Sequence, residues 1–178
     1  MEYKELDVAE VIELAKETLI KTGSISPHLF GLAPDGADGI YMVLAFDDDE
    51  AKFKSLIKGG LAYGAREVPE FYFVSEAYMQ RVPVDGTDPY PALSPSEVPL
   101  DDRIEALIVV RIRAGAEIEA RVFTVEIKRE GRDRDRIRFL ETKGLHGASA
   151  ISGRISQTLI TAYKAGRAAA ETNKRKGF

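Results

Sequence analysis

The stretch Gly144–Arg154, GLHGASAISGR, is rich in small residues and runs into a helical pattern. Small residues let backbone N–H groups converge, and a helix N-terminus carries partial positive charge. With their added donors, Ser149, Ser152 and Arg154 are the candidate anion-binding residues. The stretch is neither a G-x-x-x-x-G-K-[ST] phosphate loop nor a G-x-G-x-x-G fingerprint, and a connector with Ser152 as N-cap accounts for it as well. The two histidines, His28 and His146, are far apart in the chain and form no i,i+4 pair. No metal motif or Ser-His-Asp pattern can be read from them. Asp47-Asp48-Asp49-Glu50 lacks the glycine and terminal glutamate of a calcium loop, and helix capping explains it. No metal and no cofactor are therefore expected.

Glu126-Ile127-Lys128 matches the E-x-K fragment of restriction-type nucleases, and Asp101 and Asp102 stand upstream beside Pro99. In such enzymes two carboxylates hold magnesium while the lysine activates or steadies the attacking water. Asp102, Glu126 and Lys128 form the candidate catalytic set on that reading. A solvated strand face explains Glu126 and Lys128 equally, because E-x-K arises in almost any charged chain. Glu76 ends an otherwise apolar strand and is the candidate buried carboxylate. Such a group needs a partner, for which an arginine from the basic half of the chain is the expectation.

Charge is distributed unevenly. Residues 1–105 carry 9 basic and 21 acidic side chains, a net of −12, whereas residues 106–178 carry 16 and 8, a net of +8. The halves should attract each other, within the fold or between subunits. Lys128, Arg129, Arg132, Arg134, Arg136, Arg138 and Lys174–Lys176 concentrate the positive charge. Glu130, Asp133 and Asp135 interleave with them, and no aromatic side chains alternate with them to stack bases.

The 178-residue length suits one domain, and the absence of cysteine excludes disulfides, thiol catalysis and thiolate-bound metal. No basic, apolar leader opens the chain, and Ile40–Phe46 and Ala106–Val110 are too short to span a bilayer. A cytoplasmic location without membrane contact is the expectation.

The elements that must position these residues follow from periodicity. Asp7 and Glu10 have capping-box spacing, Val8, Ile12, Ala15 and Leu19 recur at helical intervals, and Gly23 suits a left-handed C-terminal cap. His28–Leu32 reads as a short strand. Ile40–Phe46 is apolar on both pleat faces, which points to a central strand covered by helices or by another subunit. A second helix should begin at Asp47–Asp49, with Phe53, Leu56, Ile57, Gly60, Leu61 and Gly64 inward. Gly60 there would let another backbone approach closely. Phe71–Tyr78 is an aromatic-rich strand. Residues 80–102, holding five of the eight prolines, form a long loop of the kind that is functional or disordered. Glu105–Arg113 and Glu117–Lys128 read as a hairpin linked by Ala114–Ala116, followed by an edge strand over Arg136–Glu141. The last helix should present Ile151, Ile155, Leu159, Ala162 and Ala169. The fold class is thus α+β, with a meandering, mostly antiparallel sheet of five to six strands, three helices and the order α-β-β-α-β-β-β-β-α. Residues 1–172 make one domain and 173–178 a frayed basic tail.

This element order resembles that of roadblock-like and profilin-like folds. The strand Phe71-Tyr-Phe-Val-Ser-Glu-Ala-Tyr-Met79 resembles a group of uncharacterised small α/β prokaryotic and phage proteins whose strand reads F-x-SEA-[WY]-M before a proline-rich loop. That resemblance covers the middle third of the chain and implies no activity. Two functional readings remain. The first is a non-enzymatic interaction domain that self-associates as a homodimer or binds another protein, with 80–102 as recognition element. The second is a nucleic-acid-directed protein, a magnesium-dependent nuclease using Asp102, Glu126 and Lys128.

Overall fold

A computed structural model describes residues 7–32, 39–80, 97–99, 101–131, 136–140 and 154–176. The elements run α1 (Val8–Thr22), β1 (His28–Leu32), β2 (Gly39–Val43), α2 (Asp49–Ala65), β3 (Glu70–Gln80), β4 (Arg103–Ala114), β5 (Ile118–Glu130), β6 (Arg136–Leu140) and α3 (Arg154–Arg175). This is the expected α+β order. The six strands form one antiparallel sheet in the order β2-β1-β3-β4-β5-β6.

Local chemistry sets the helix starts. Asp7 accepts the Ala9 N–H at 2.9 Å to open α1, and Gly23, at φ 78°, closes it by donating to Leu19 O. Asp48 accepts the Ala51 N–H at 2.6 Å to open α2. The acidic run at Asp47–Glu50 therefore supplies that helix's cap.

Alternation along β3 divides the core between two faces. Phe71 and Phe73 join Leu29, Leu56, Tyr63, Val110, Ile112, Leu159 and Tyr163 beneath α2 and α3. Tyr72 and Val74 join Val11, Ala15, Leu19, Leu107, Val109 and Ile127 beneath α1. On the first face Phe71 lies between two tyrosines, 4.8 Å from Tyr63 and 5.5 Å from Tyr163 by ring centroids. Each phenol finds a backbone acceptor: Tyr63 donates to Ile40 O at 2.7 Å and Tyr163 to Val68 O at 2.8 Å.

Several expectations need correction. Strand β2 is not central: it stops at Val43 and lies at the sheet edge, with Tyr41 62% and Val43 59% exposed. Its other face, Ile40 and Met42, packs into the α2 side of the core. On α2, Ile57 and Leu61 point outward, while Leu56, Gly60, Tyr63 and Gly64 face inward. On α3, Ala169 is exposed and Tyr163 and Gly166 take the inward positions. The two helices touch along a seam of small residues, Gly60, Gly64, Ala162 and Gly166, which brings their backbones close. Residues 173–175, expected in a frayed tail, continue α3, and Lys174 bonds Glu67. The β4–β5 link is Gly115–Glu117, one residue later than read from the sequence. Of the loop at 80–102, residues 81–96 and Leu100 lie outside the described residues, as do Ile151 and Glu141, while Val98 is buried.

The seam explains Gly60 and Gly64, whereas Gly59 lies against Leu29 of β1. A methyl on Gly60 would sit 2.6 Å from the Ala162 Cβ and 3.0 Å from Leu159 O, and one on Gly64 would strike the Tyr163 carbonyl. Gly166 is matched in the same way against Leu61 O. Gly64→Ala should therefore destabilise the fold by about 1–3 kcal/mol or more in urea unfolding, as overpacking does. Gly115→Ala, whose methyl would meet only Glu117 O at 3.6 Å, should stay within about 0.5 kcal/mol of wild type.

Candidate functional site

The proposed catalytic residues are divided by the strand geometry. Glu126 is buried in β5 on the α2–α3 face, and Lys128, on that face two residues on, bonds it at 3.0 Å. Asp102 is exposed in the turn before β4. Glu126 pairs in register with Ala106, four positions further along β4. At ~3.3 Å per residue Asp102 is displaced by about 13 Å along the strand. The pair is thus brought together and the third member is not. Among the described residues no group of three or more His, Asp or Glu side chains could hold a metal ion.

Of the anion-binding set, Ser149 and Ser152 lie outside the described residues, as does His146. Arg154 opens α3, with its guanidinium 4.3 Å from the centre of the Phe53 ring, a cation–π contact. His28 begins β1, its Nδ1 2.8 Å from Ser26 O, and burial pushes its pKa down.

The partner of Glu76 is Arg129 of β5, at 2.7 Å. Arg129 also bonds Glu105 at 2.6 Å and donates to Gly23 O at 2.9 Å, while Glu76 accepts the Ile25 N–H. One guanidinium thus joins β3, β4 and β5 and ties the turn after α1 to the sheet. Burial pushes the Glu76 carboxyl above its ordinary range; the Ile25 N–H and Arg129 oppose this in part, and Glu105 adds to it.

Other ion pairs follow the same logic. Arg111 bonds Glu70 at 2.7 Å, and Glu70 is 2% exposed and also accepts from the Tyr72 hydroxyl at 2.7 Å. Arg111, Arg129 and Lys174 come from the basic half, and Glu70, Glu76, Glu105 and Glu67 from the acidic half. The charge asymmetry of the sequence is therefore used inside the fold. Other basic residues of the described sheet do not share one surface. Lys128, Arg136 and Arg138 lie on the α2–α3 face of β5–β6, and Arg113 and Arg121 on the opposite face at the far end of β4–β5.

The feature with the clearest functional content is the outer end of the sheet on the α1 side. Helix α1 packs over β4 and β6, leaving His28, Tyr41 and Val43 on a face that no helix covers among the described residues. The rings of His28 and Tyr41 are 5.1 Å apart, and Phe30 stacks on Tyr72 at 5.3 Å. Strand β2 also has one backbone edge unpaired among the described strands. Gly39-Ile-Tyr-Met-Val43 carries no charge, whereas the opposite edge, β6, exposes Arg136 and Arg138. Charged edge strands resist pairing with other chains; uncharged ones invite it. In the sequence this signal was present as the two-faced apolar run.

Comparison with known protein families, with curated proteins and with solved structures gave no match.

The Arg129 network makes two measurable claims. Arg129→Ala leaves Glu76 and Glu105 facing each other and should destabilise the fold by about 3 kcal/mol in urea unfolding. The raised Glu76 carboxyl means the folded state keeps its proton to higher pH than the unfolded chain, so stability falls as pH rises upward from 4.5. Glu76→Gln, which does not titrate, should therefore lose less stability than wild type between about pH 4 and about pH 7.

Proposed function

We propose that this chain is a non-enzymatic interaction domain that self-associates as a homodimer through β2. What carries the reading is the charge-free edge strand Gly39–Val43 with Tyr41 and Val43 exposed beside it. An antiparallel strand can pair with a second copy of itself about a two-fold axis, each edge supplying the donors and acceptors the other needs. Pairing centred on Tyr41 would continue both sheets into one and draw Tyr41 and Val43 of each copy towards the other. A second copy suits this surface because the edge is its own complement, while the opposite edge carries the arginines that oppose such pairing.

The displacement of Asp102 from the Glu126–Lys128 pair favours this reading over magnesium-dependent nuclease chemistry. So does the division of the basic residues between two faces, because a groove that tracks phosphates needs them together.

Light scattering on the eluted protein should give twice the 19.6 kDa chain mass. Tyr41→Lys with Val43→Lys should give the single-chain mass with an unchanged circular-dichroism spectrum, since each copy then sets positive charges against the other. A wild-type monomer at the highest concentration reached overturns the dimer. Magnesium-dependent cutting of DNA or RNA that disappears in Glu126→Ala overturns the non-enzymatic reading.

A further inference from the structure

Strand β2 presents backbone as well as side chains at the edge that the described strands leave unpaired. Leu44 N–H bonds Pro27 O at 2.8 Å, and bonded pairs alternate with non-bonded ones along an antiparallel ladder. Leu29 with Met42 and Gly31 with Ile40 are therefore the bonded pairs of β1 and β2. Gly39, Tyr41 and Val43 turn their N–H and C=O groups outward. The side chains of Tyr41 and Val43 stand on the α1 face, directly opposite Phe30 and His28 of β1.

In a pairing of two copies centred on Tyr41, Val43 faces Gly39 of the second copy. Tyr41 of that copy then lies diagonally beside Val43, at a spacing of ~7–8 Å that aromatic side chains bridge. His28 is one strand further in. Its ring lies 5.1 Å from that of Tyr41 and 6.0 Å from that of Phe30, and its Nδ1–H donates to Ser26 O at 2.8 Å. A second proton on the ring therefore enters at Nε2. Few titratable groups surround it: β2 brings Tyr41, β3 brings Tyr72 and Glu76 on the same face, residues 23–27 bring none, and α1 carries Lys21 in its last turn. Glu76 is held by Arg129 and the Ile25 N–H. Burial lowers the pKa of His28, and the bond to Ser26 O opposes this in part.

We propose that His28 regulates the β2 dimer: with the ring neutral the two copies pair, and a proton taken up by the ring drives them apart. This rests on the self-association proposed above. Pairing covers Tyr41 and Val43, the two side chains between His28 and the second copy, and so removes water from the side of the ring that faces the edge. A charge is costlier there than in the single chain, where Tyr41 is 62% exposed. The cation–π contact between an imidazolium and Tyr41 is present in both states, so it does not choose between them. The dimer thus binds fewer protons at His28 than two separate chains do, and it weakens as pH falls through the titration of the ring.

Sedimentation equilibrium at constant ionic strength tests this at about pH 7.5 and about pH 5.5, on either side of the histidine range. The wild-type dissociation constant should rise about threefold or more at the lower pH, as it does when each of two rings binds its proton about threefold less tightly in the dimer. His28→Gln, which does not titrate, should hold its constant within about twofold. Proton NMR gives a readout independent of that variant. The chain has two histidines, so His146→Gln leaves His28 as the single imidazole signal, and its titration midpoint should move to lower pH as protein concentration rises. An equal constant at both pH values, the same pH response in His28→Gln, or a midpoint that ignores concentration overturns the switch and leaves the dimer standing. A wild-type chain at the 19.6 kDa mass under all conditions overturns the dimer and the switch together.

Discussion

Six strands present two faces, and the three helices are shared between them two to one. Both faces are apolar along most of their length, so each needs cover, and among the described residues helical cover on the α1 side stops before the sheet does. On the other side α2 and α3 pack closely because glycine and alanine line their contact, with Gly60 against Ala162 and Gly166 against Leu61. That close approach puts Tyr63 and Tyr163 on either side of Phe71 with both hydroxyls bonded to backbone oxygens. The opposite face has one fifteen-residue helix for the same sheet. Among the described residues that helix does not reach the β1–β2 end of the sheet.

Electrostatics serves the same architecture. The long strands β3, β4 and β5 would carry unpaired charge into the sheet if acidic and basic residues were mixed at random along them. Instead β3 brings Glu70 and Glu76, and β4 and β5 bring Arg111 and Arg129 to meet them. Arg129 does more than neutralise: its bond to Gly23 O, with that from Ile25 N–H to Glu76, fixes the turn out of α1. The helix that covers the second face is thereby anchored by a residue on the opposite half of the chain.

Element order and most boundaries are legible in the sequence, because caps, glycines and hydrophobic period are local signals. Strand position, helix rotation and register are not local. Ile40–Phe46 reads as a buried central strand because apolarity on both faces is the mark of burial; the chain instead places it at the edge with Tyr41 and Val43 exposed. On α2 the expected Leu56, Gly60 and Gly64 face inward while Ile57 and Leu61 do not, and on α3 Leu159 and Ala162 are joined by Tyr163 and Gly166 rather than by Ala169, because the rotation of each helix is set by the partner helix and not by its own period. The Arg111–Arg121 opposition was lost to one residue: placing the hairpin link at Ala114–Ala116 shifts the register by two and sets Arg111 against Glu119, an ordinary ion pair. With the link at Gly115–Glu117 two arginines face each other.

The amino-acid sequence by itself determined the α+β class, the helix caps at Asp7, Asp48 and Gly23, the strand segments and the opposite charges of the two halves. These depend on neighbours a few residues apart or on composition. Tertiary structure alone decided that β2 lies at the edge, that Arg129 rather than another arginine meets Glu76, that Asp102 is removed from Glu126, and that His28 lies beside Tyr41. Each of those depends on strand order and register. Register is set by turn geometry and by packing between elements far apart in the chain, and a shift of a single residue reverses the face on which every side chain lies.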